Sequence, residues 1–162
     1  MRRAAILLVI MAPVILSAFA QATIDRNDYY QILSSESEPG IDGMLKKLET
    51  EKQSSQVMAY TGAMLMKKAG FVKGVNGKVK TFKKGVRLLE SEIDANPANV
   101  EYRFLRLTIQ ENAPHILKYN QNLAGDKEAI LTSYRKLDTT LKNVIADYSR
   151  NSKVLKLTDL EH

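Results

Sequence analysis

The side chains able to do chemistry are few and scattered along this 162-residue chain. It has no cysteine, which removes thiol nucleophiles and thiolate metal ligands. His115 follows Glu111 by four residues, a spacing that puts two side chains on one turn of a helix. Pro114 falls between them and interrupts that face. One imidazole and one carboxylate fall short of the three or four ligands a zinc site takes. His115 therefore reads as a polar or partly buried structural residue. A serine nucleophile needs a base and an orienting group, whereas the serines of "SSES" (34–37) and "QSSQ" (53–56) read as linker and helix cap. Gly70, Gly74 and Gly77 have no strand before them and lack the Lys-Ser/Thr of a phosphate-binding loop. Two carboxylates for a glycosidase-like hydrolysis can come from anywhere in a chain. A hydrolase of envelope polymers using dispersed acids is thus one alternative, although no spacing marks its pair.

Charge supplies the strongest candidate surface. Between Lys52 and Leu89 there is no Asp or Glu. That stretch carries Lys67, Lys68, Lys73, Lys78, Lys80, Lys83, Lys84 and Arg87, a patch suited to an anionic partner such as lipid headgroups, polysaccharide or an acidic protein. The competing reading is a solvated helix end kept soluble by lysine. Aromatic residues are sparse there (Phe71 and Phe82), which argues against a stacking surface for single-stranded nucleic acid. A second candidate is the helix of "RFLRLTIQENAPH", with Arg103, Arg106, Gln110, Asn112 and His115 as an interaction face. Its alternative is surface pairing of the two arginines with Glu101 and Glu111.

These residues sit on helices throughout. Asp25 is placed to cap a short helix to about residue 33, and "SSESEPG" (34–40) reads as a polar linker that lets that helix sit loosely or dock late. Met44, Leu45 and Leu48 start a second helix. Ser54 or Ser55 caps a third, with Val57, Tyr60 and Met64 in helical register and Gly62 and Ala63 beside them. Gly70 is expected to end it and "FVKGVNG" (71–77) to form a turn. Val79, Phe82, Val86, Leu89 and Ile93 then follow at spacings of 3, 4, 3 and 4, an unbroken apolar stripe. Gly85 lies on that face, and a mid-helix glycine costs ~1 kcal/mol against alanine, so Gly62 and Gly85 mark a close helix crossing. Asn96-Pro97 breaks the chain, with Asn96 or Asn99 as the next cap. Pro114 is expected to start a shorter helix ending at Gly125. Asp126 is expected to cap a last long helix carrying Ile130, Tyr134, Leu137, Leu141, Val144 and Tyr148, a near-heptad stripe read as bundle core rather than as a dimer seam. No segment alternates as a strand does. The fold class is all-α: antiparallel helical hairpins, stacked as an array or an irregular bundle of about five to seven helices.

From Ser54 to Leu107 the chain resembles the helical hairpins of tetratricopeptide repeats. Gly62 and Ala63 stand like the small residues of a first repeat helix. Gly85 and Leu89 stand like the small and large residues of the second, and Pro97 stands like the terminal proline. "NPANVEY" resembles the start of a next repeat. The hairpin turn is roughly ten residues longer than the 34-residue template, Glu92 occupies a usually small position, and no second unit follows at a fixed period. The resemblance covers about a third of the chain and implies a binding module. The layout also resembles that of small exported helical proteins of Bacteroidetes-type bacteria, which implies no activity.

The N-terminus indicates export. Met1-Arg2-Arg3 precedes an apolar run from Ala4 to Leu16, and Ala18-x-Ala20 and Ala20-x-Ala22 both fit small-x-small cleavage. The run is shorter than the ~20 residues of a membrane span. With no cysteine for a lipid anchor, the expected location is periplasmic or secreted. Removing two of the 24 basic residues leaves 22 against 18 acidic ones, or +4, which is mild for a nucleic-acid binder. The expected organisation is a signal peptide at 1–22, a short helix and linker at 23–40, one all-α domain at 41–157, and a tail at 158–162 whose Leu-Glu-His end resembles a tag scar. The functional expectation is an exported protein-interaction module of the cell envelope, without catalysis or cofactor, engaging a protein partner. A basic adaptor for an anionic envelope surface is the further alternative.

Overall fold

The computed structural model describes residues 24–161; the signal-peptide reading of residues 1–22 and the reading of His162 lie outside them. Among the described residues there are seven α-helices and no strand: α1 (Arg26–Ser34), α2 (Glu38–Thr50), α3 (Ser55–Lys68), α4 (Val75–Ala95), α5 (Val100–Asn112), α6 (Leu123–Ser133) and α7 (Thr139–Ser149). Short 3₁₀ turns occupy His115–Leu117, Tyr134–Lys136 and Leu157–Glu161. No helix among them is long and apolar enough to cross a membrane.

The centre of the fold is the α3–α4 hairpin, and two glycines make it possible. A Cβ on Gly62 would stand 2.7 Å from the Leu89 backbone nitrogen and 2.9 Å from the Gly85 carbonyl oxygen. One on Gly85 would stand 2.5 Å from the Gly62 carbonyl oxygen and 2.9 Å from the Met66 nitrogen. The helices thus touch backbone to backbone. Phe82, Leu89 and Ile93 of the α4 stripe are buried, and from α3 so are Tyr60, Ala63 and Met64. Helix α2 packs on α3, and α5 packs across both helices of the hairpin with α6 behind it. Helix α1 touches α2, α3 and α7 and closes the bundle.

Local chemistry sets the helix ends. Asp25, Ser54 and Asn99 each accept a backbone N–H two or three residues into their helices, as expected of such caps. Four expectations are corrected. First, the "SSESEPG" linker shrinks to Ser35–Ser37, because Ser37 accepts the Gly40 N–H and Pro39 suits the first turn of α2. Of the two readings of α1, the docked one holds: Tyr29 stacks on Tyr60 at 3.9 Å between centroids and donates its hydroxyl to the Tyr60 carbonyl. Second, the turn before α4 ends at Gly74, whose φ of 75° suits glycine; Asn76-Gly77 is already helical. Third, Pro114 starts only a 3₁₀ turn. It ends at Lys118 in the left-handed region, which lets Tyr119 pack edge-on to Phe82. Fourth, the long last helix is two. Helix α6 runs through Gly125, and Asp138 stops the run by capping α7 at the Leu141 N–H. Ile130, Leu141 and Ile145 from the two pieces still enter one core.

The glycine crossing gives a paired test. Gly62→Ala gains helix propensity yet forces backbone apart, so it should lower stability by about 1–3 kcal/mol. Gly43→Ala, in α2 with nothing within 4 Å of its Cβ, should raise stability by about 0.5–1 kcal/mol. Urea denaturation of both variants reads the contrast.

Candidate functional site

Of the interaction-helix residues, Arg106 and Gln110 lie inside the protein. Helix α5 buries nine of its 13 residues, among them Glu101, Arg106 and Gln110, so it has little solvent face to offer a partner. Arg106 donates to both oxygens of Asp126 at 2.7 Å and to Glu90 at 2.6 Å. Arg103 reaches Asp126 at 3.3 Å and the Pro97 carbonyl at 3.0 Å. The arginines therefore bind Asp126 and Glu90, and not Glu101 and Glu111 as sequence spacing suggests. Gln110 exchanges hydrogen bonds with the Asn122 side chain and backbone. Asn112 donates to the Thr108 carbonyl, and His115 lies exposed on the 3₁₀ turn. Of the five, Asn112 and His115 are exposed and lie nearest an open surface.

Three carboxylate networks radiate from α5. Glu101 receives the Tyr60 hydroxyl at 2.5 Å, the Tyr30 hydroxyl at 3.4 Å and Arg26 at 3.1 Å. Arg26 goes on to Asp138 at 2.8 Å. Asp126 and Glu90 share Arg106, and Tyr119 donates to Glu90. Glu111 accepts Tyr148, Ser152 and the backbone N–H groups of Lys153 and Val154. Burial acts to raise the Glu111 carboxyl, but the hydrogen bonds from Ser152, Tyr148 and the two N–H groups outweigh it and hold it below the usual range. Burial and the adjoining carboxylates push the Tyr60, Tyr119 and Tyr148 hydroxyls above theirs. These tyrosines stay neutral and donate. Glu111 is thus held ionised, whereas a general acid near neutral pH needs a raised carboxyl. Among the described residues, no group of three or more metal-ligating side chains comes together.

The open feature is a groove of about 1170 Å³. One wall is α1, with Tyr30 and Leu33. The end of the hairpin supplies Met66, Phe71, Val75, Val79 and Phe82, the outer half of α5 supplies Ile109 and Asn112, and Val144 and Tyr148 of α7 close the far side. Val75 and Ile116 stand on its rim at 77% and 88% exposure, and they are the exposed large hydrophobic residues among the described ones. Sequence pattern missed this site. Val75 falls in what reads as a turn and Ile116 in what reads as a short helix begun by Pro114. An apolar residue in a glycine-rich turn was the available signal.

The basic patch divides in two. Lys67 pairs with Glu36, and Lys68 pairs with Glu38 and Asp42. Lys78 donates to the Gly70 carbonyl at the groove rim. Lys73, Lys80, Lys83, Lys84 and Arg87 are exposed and have no ion pair among the described residues. Compared with protein-family models, curated proteins and solved structures, the chain matches none.

Two tests follow from the networks. Removing one partner of a buried ion pair leaves the other uncompensated at about 3–5 kcal/mol. Asp126→Ala should therefore cost about 3 kcal/mol in urea denaturation, and combining it with Arg106→Met should cost less than the sum of the two. For Glu111 the folded-state carboxyl is depressed. Its stabilisation is present above the unfolded carboxylate range and lost as pH falls through the lower folded value. The stability gap between wild type and Glu111→Gln should be wide at about pH 7 and narrow toward about pH 3.

Proposed function

We propose that this chain is an exported, non-catalytic helical interaction module of the bacterial cell envelope, built on a tetratricopeptide-like hairpin. Its groove receives an apolar segment of a partner protein. The observation that carries this reading is the apolar groove with Val75 and Ile116 exposed on its rim. Exposed large apolar residues gathered at one concave site mark interaction surfaces. The groove exceeds the usual ~300–1,000 Å³ of small-ligand pockets, which suits a helix or extended segment laid into it. Charge complementarity narrows the occupant. Glu36 and Glu111 at the groove are already engaged, whereas the Lys78 ammonium meets only a carbonyl. The partner segment carries several large apolar side chains and an acidic residue opposite Lys78.

The test captures envelope proteins with wild type and with the double variant Val75→Asp, Ile116→Asp. Both positions are exposed, and an aspartate in the first turn of α4 favours the helix, so the variant should fold and melt like wild type. A partner whose affinity falls about tenfold or more in the variant, and which weakens further with Lys78→Glu, supports the reading. Equal capture by both proteins overturns it, as does hydrolysis of an envelope polymer by the wild-type protein.

A further inference from the structure

The face of α4 turned away from the groove carries a second surface. Lys80, Lys83, Lys84 and Arg87 are all exposed. Their spacing puts them on one helix face about 10 Å long. Phe82, Gly85 and Leu89 point the opposite way, into the core. None of the four has an ion-pair partner among the described residues. The next acid along the helix, Glu90, is held by Arg106 and Tyr119. Lys67, Lys68 and Lys127, by contrast, are matched by Glu36, by Glu38 with Asp42, and by Asp159. Like charges four residues apart weaken a helix, and here Lys80–Lys84 and Lys83–Arg87 are two such pairs. Nothing inside the fold relieves them, whereas an anionic layer along this face would relieve both.

We propose that this ridge docks the protein onto an anionic phospholipid bilayer surface. None of the four lines the groove and all are exposed, so the face suits a broad charged layer and not an enclosed ligand. Three of the four cations are lysines, compact hydrated charges on mobile stems rather than the planar fork that fits individual phosphates. No aromatic residue lies among them to stack on a sugar or a base. Each Lys or Arg close to an anionic leaflet contributes about fivefold in partition, so four together contribute several-hundred-fold. Binding is electrostatic and shallow, and it leaves the groove on the other flank of α4 open. The proposal stands on the charge geometry of α4 and does not depend on the groove having a partner.

Vesicle co-sedimentation of the purified protein tests it, using neutral phosphatidylcholine with and without about one-third anionic phospholipid. The expected result is binding to the anionic vesicles alone, weakening steeply as salt shortens the screening length. A variant with Lys80, Lys83, Lys84 and Arg87 all changed to Glu should lose this binding. One with all four changed to Gln should lose most of it while removing any risk from introduced acid. A control with Lys46, Lys52, Lys136 and Lys156 changed to Glu has the same net charge as the Glu ridge variant and should keep most of the binding. Circular dichroism melts confirm folding of each. Equal binding to both vesicle types overturns the proposal, as does equal loss in ridge and control variants. Retention on an anionic polysaccharide column without vesicle binding also overturns it and assigns the ridge to a polymer.

Discussion

Helix α5 has almost no solvent face, and it nevertheless carries Glu101, Arg106 and Gln110 into the interior. Taking an ion out of water costs several kcal/mol even after relaxation, so each must meet partners. Those partners come from α1, α3, α4, α6 and the end of α7. Glu101 collects α1 and α3 through Arg26, Tyr30 and Tyr60. Arg106 collects α4 and α6 through Glu90 and Asp126. One turn further on, Glu111 holds the segment after α7. Arg26 extends the first network to Asp138, the residue that caps α7. Apolar contact alone would let these helices slide by a turn at small loss. Directional, charge-assisted bonds fix one register.

That arrangement also decides what the surface looks like. Glu90, Glu101, Glu111 and Asp126 are engaged in internal networks, so they do not neutralise cations outside. The acid-free stretch from Lys52 to Leu89 is answered only at its α3 end, where α2 brings Glu38 and Asp42 to Lys68. The outer face of α4 receives no such neighbour. The hairpin itself needs no charge to hold it, because Gly62 and Gly85 let the backbones meet. The lysines on the outer face of α4 are therefore free of structural duty.

Much of the fold was legible in sequence because periodic apolar spacing and capping residues are local signals. The α4 stripe, the Gly62–Gly85 crossing and the caps at Asp25, Ser54 and Asn99 are of this kind. The failures share one cause. Near-neighbour spacing pairs Arg103 and Arg106 with Glu101 and Glu111 and makes Asp126 a cap, which holds only where polar residues on a helix face water. In α5 the partner of Arg106 lies 20 residues ahead in Asp126, and no local pattern reports such a pairing. Asp126 itself looks like a cap by type, yet it is fully buried and serves as a counter-ion. The heptad-like spacing from Ile130 to Tyr148 was real as a set of core positions. It could not reveal that Asp138 would break the helix, since capping and propagation compete at that residue and the bond from Arg26 favours the cap. The groove was illegible for the same reason: its walls come from α1, α4, α5 and α7, which only the long-range networks bring together.

The groove and the ridge are opposite flanks of the same 21-residue helix, and this constrains how they work together. Helix α4 is anchored at its middle by the glycine crossing and near its end by Glu90. Its first turn is less supported: Gly74 offers no side-chain cap, no acid balances that turn, and Val75 projects outward. In the proposed arrangement a bilayer under Lys80, Lys83, Lys84 and Arg87 fixes the roll of α4 about its own axis. Because α4 is continuous and locked to α5, fixing that roll also fixes where the groove points. The ridge then sets orientation and the groove sets selectivity. The two need no conformational change to cooperate, only the rigidity that α5 imposes.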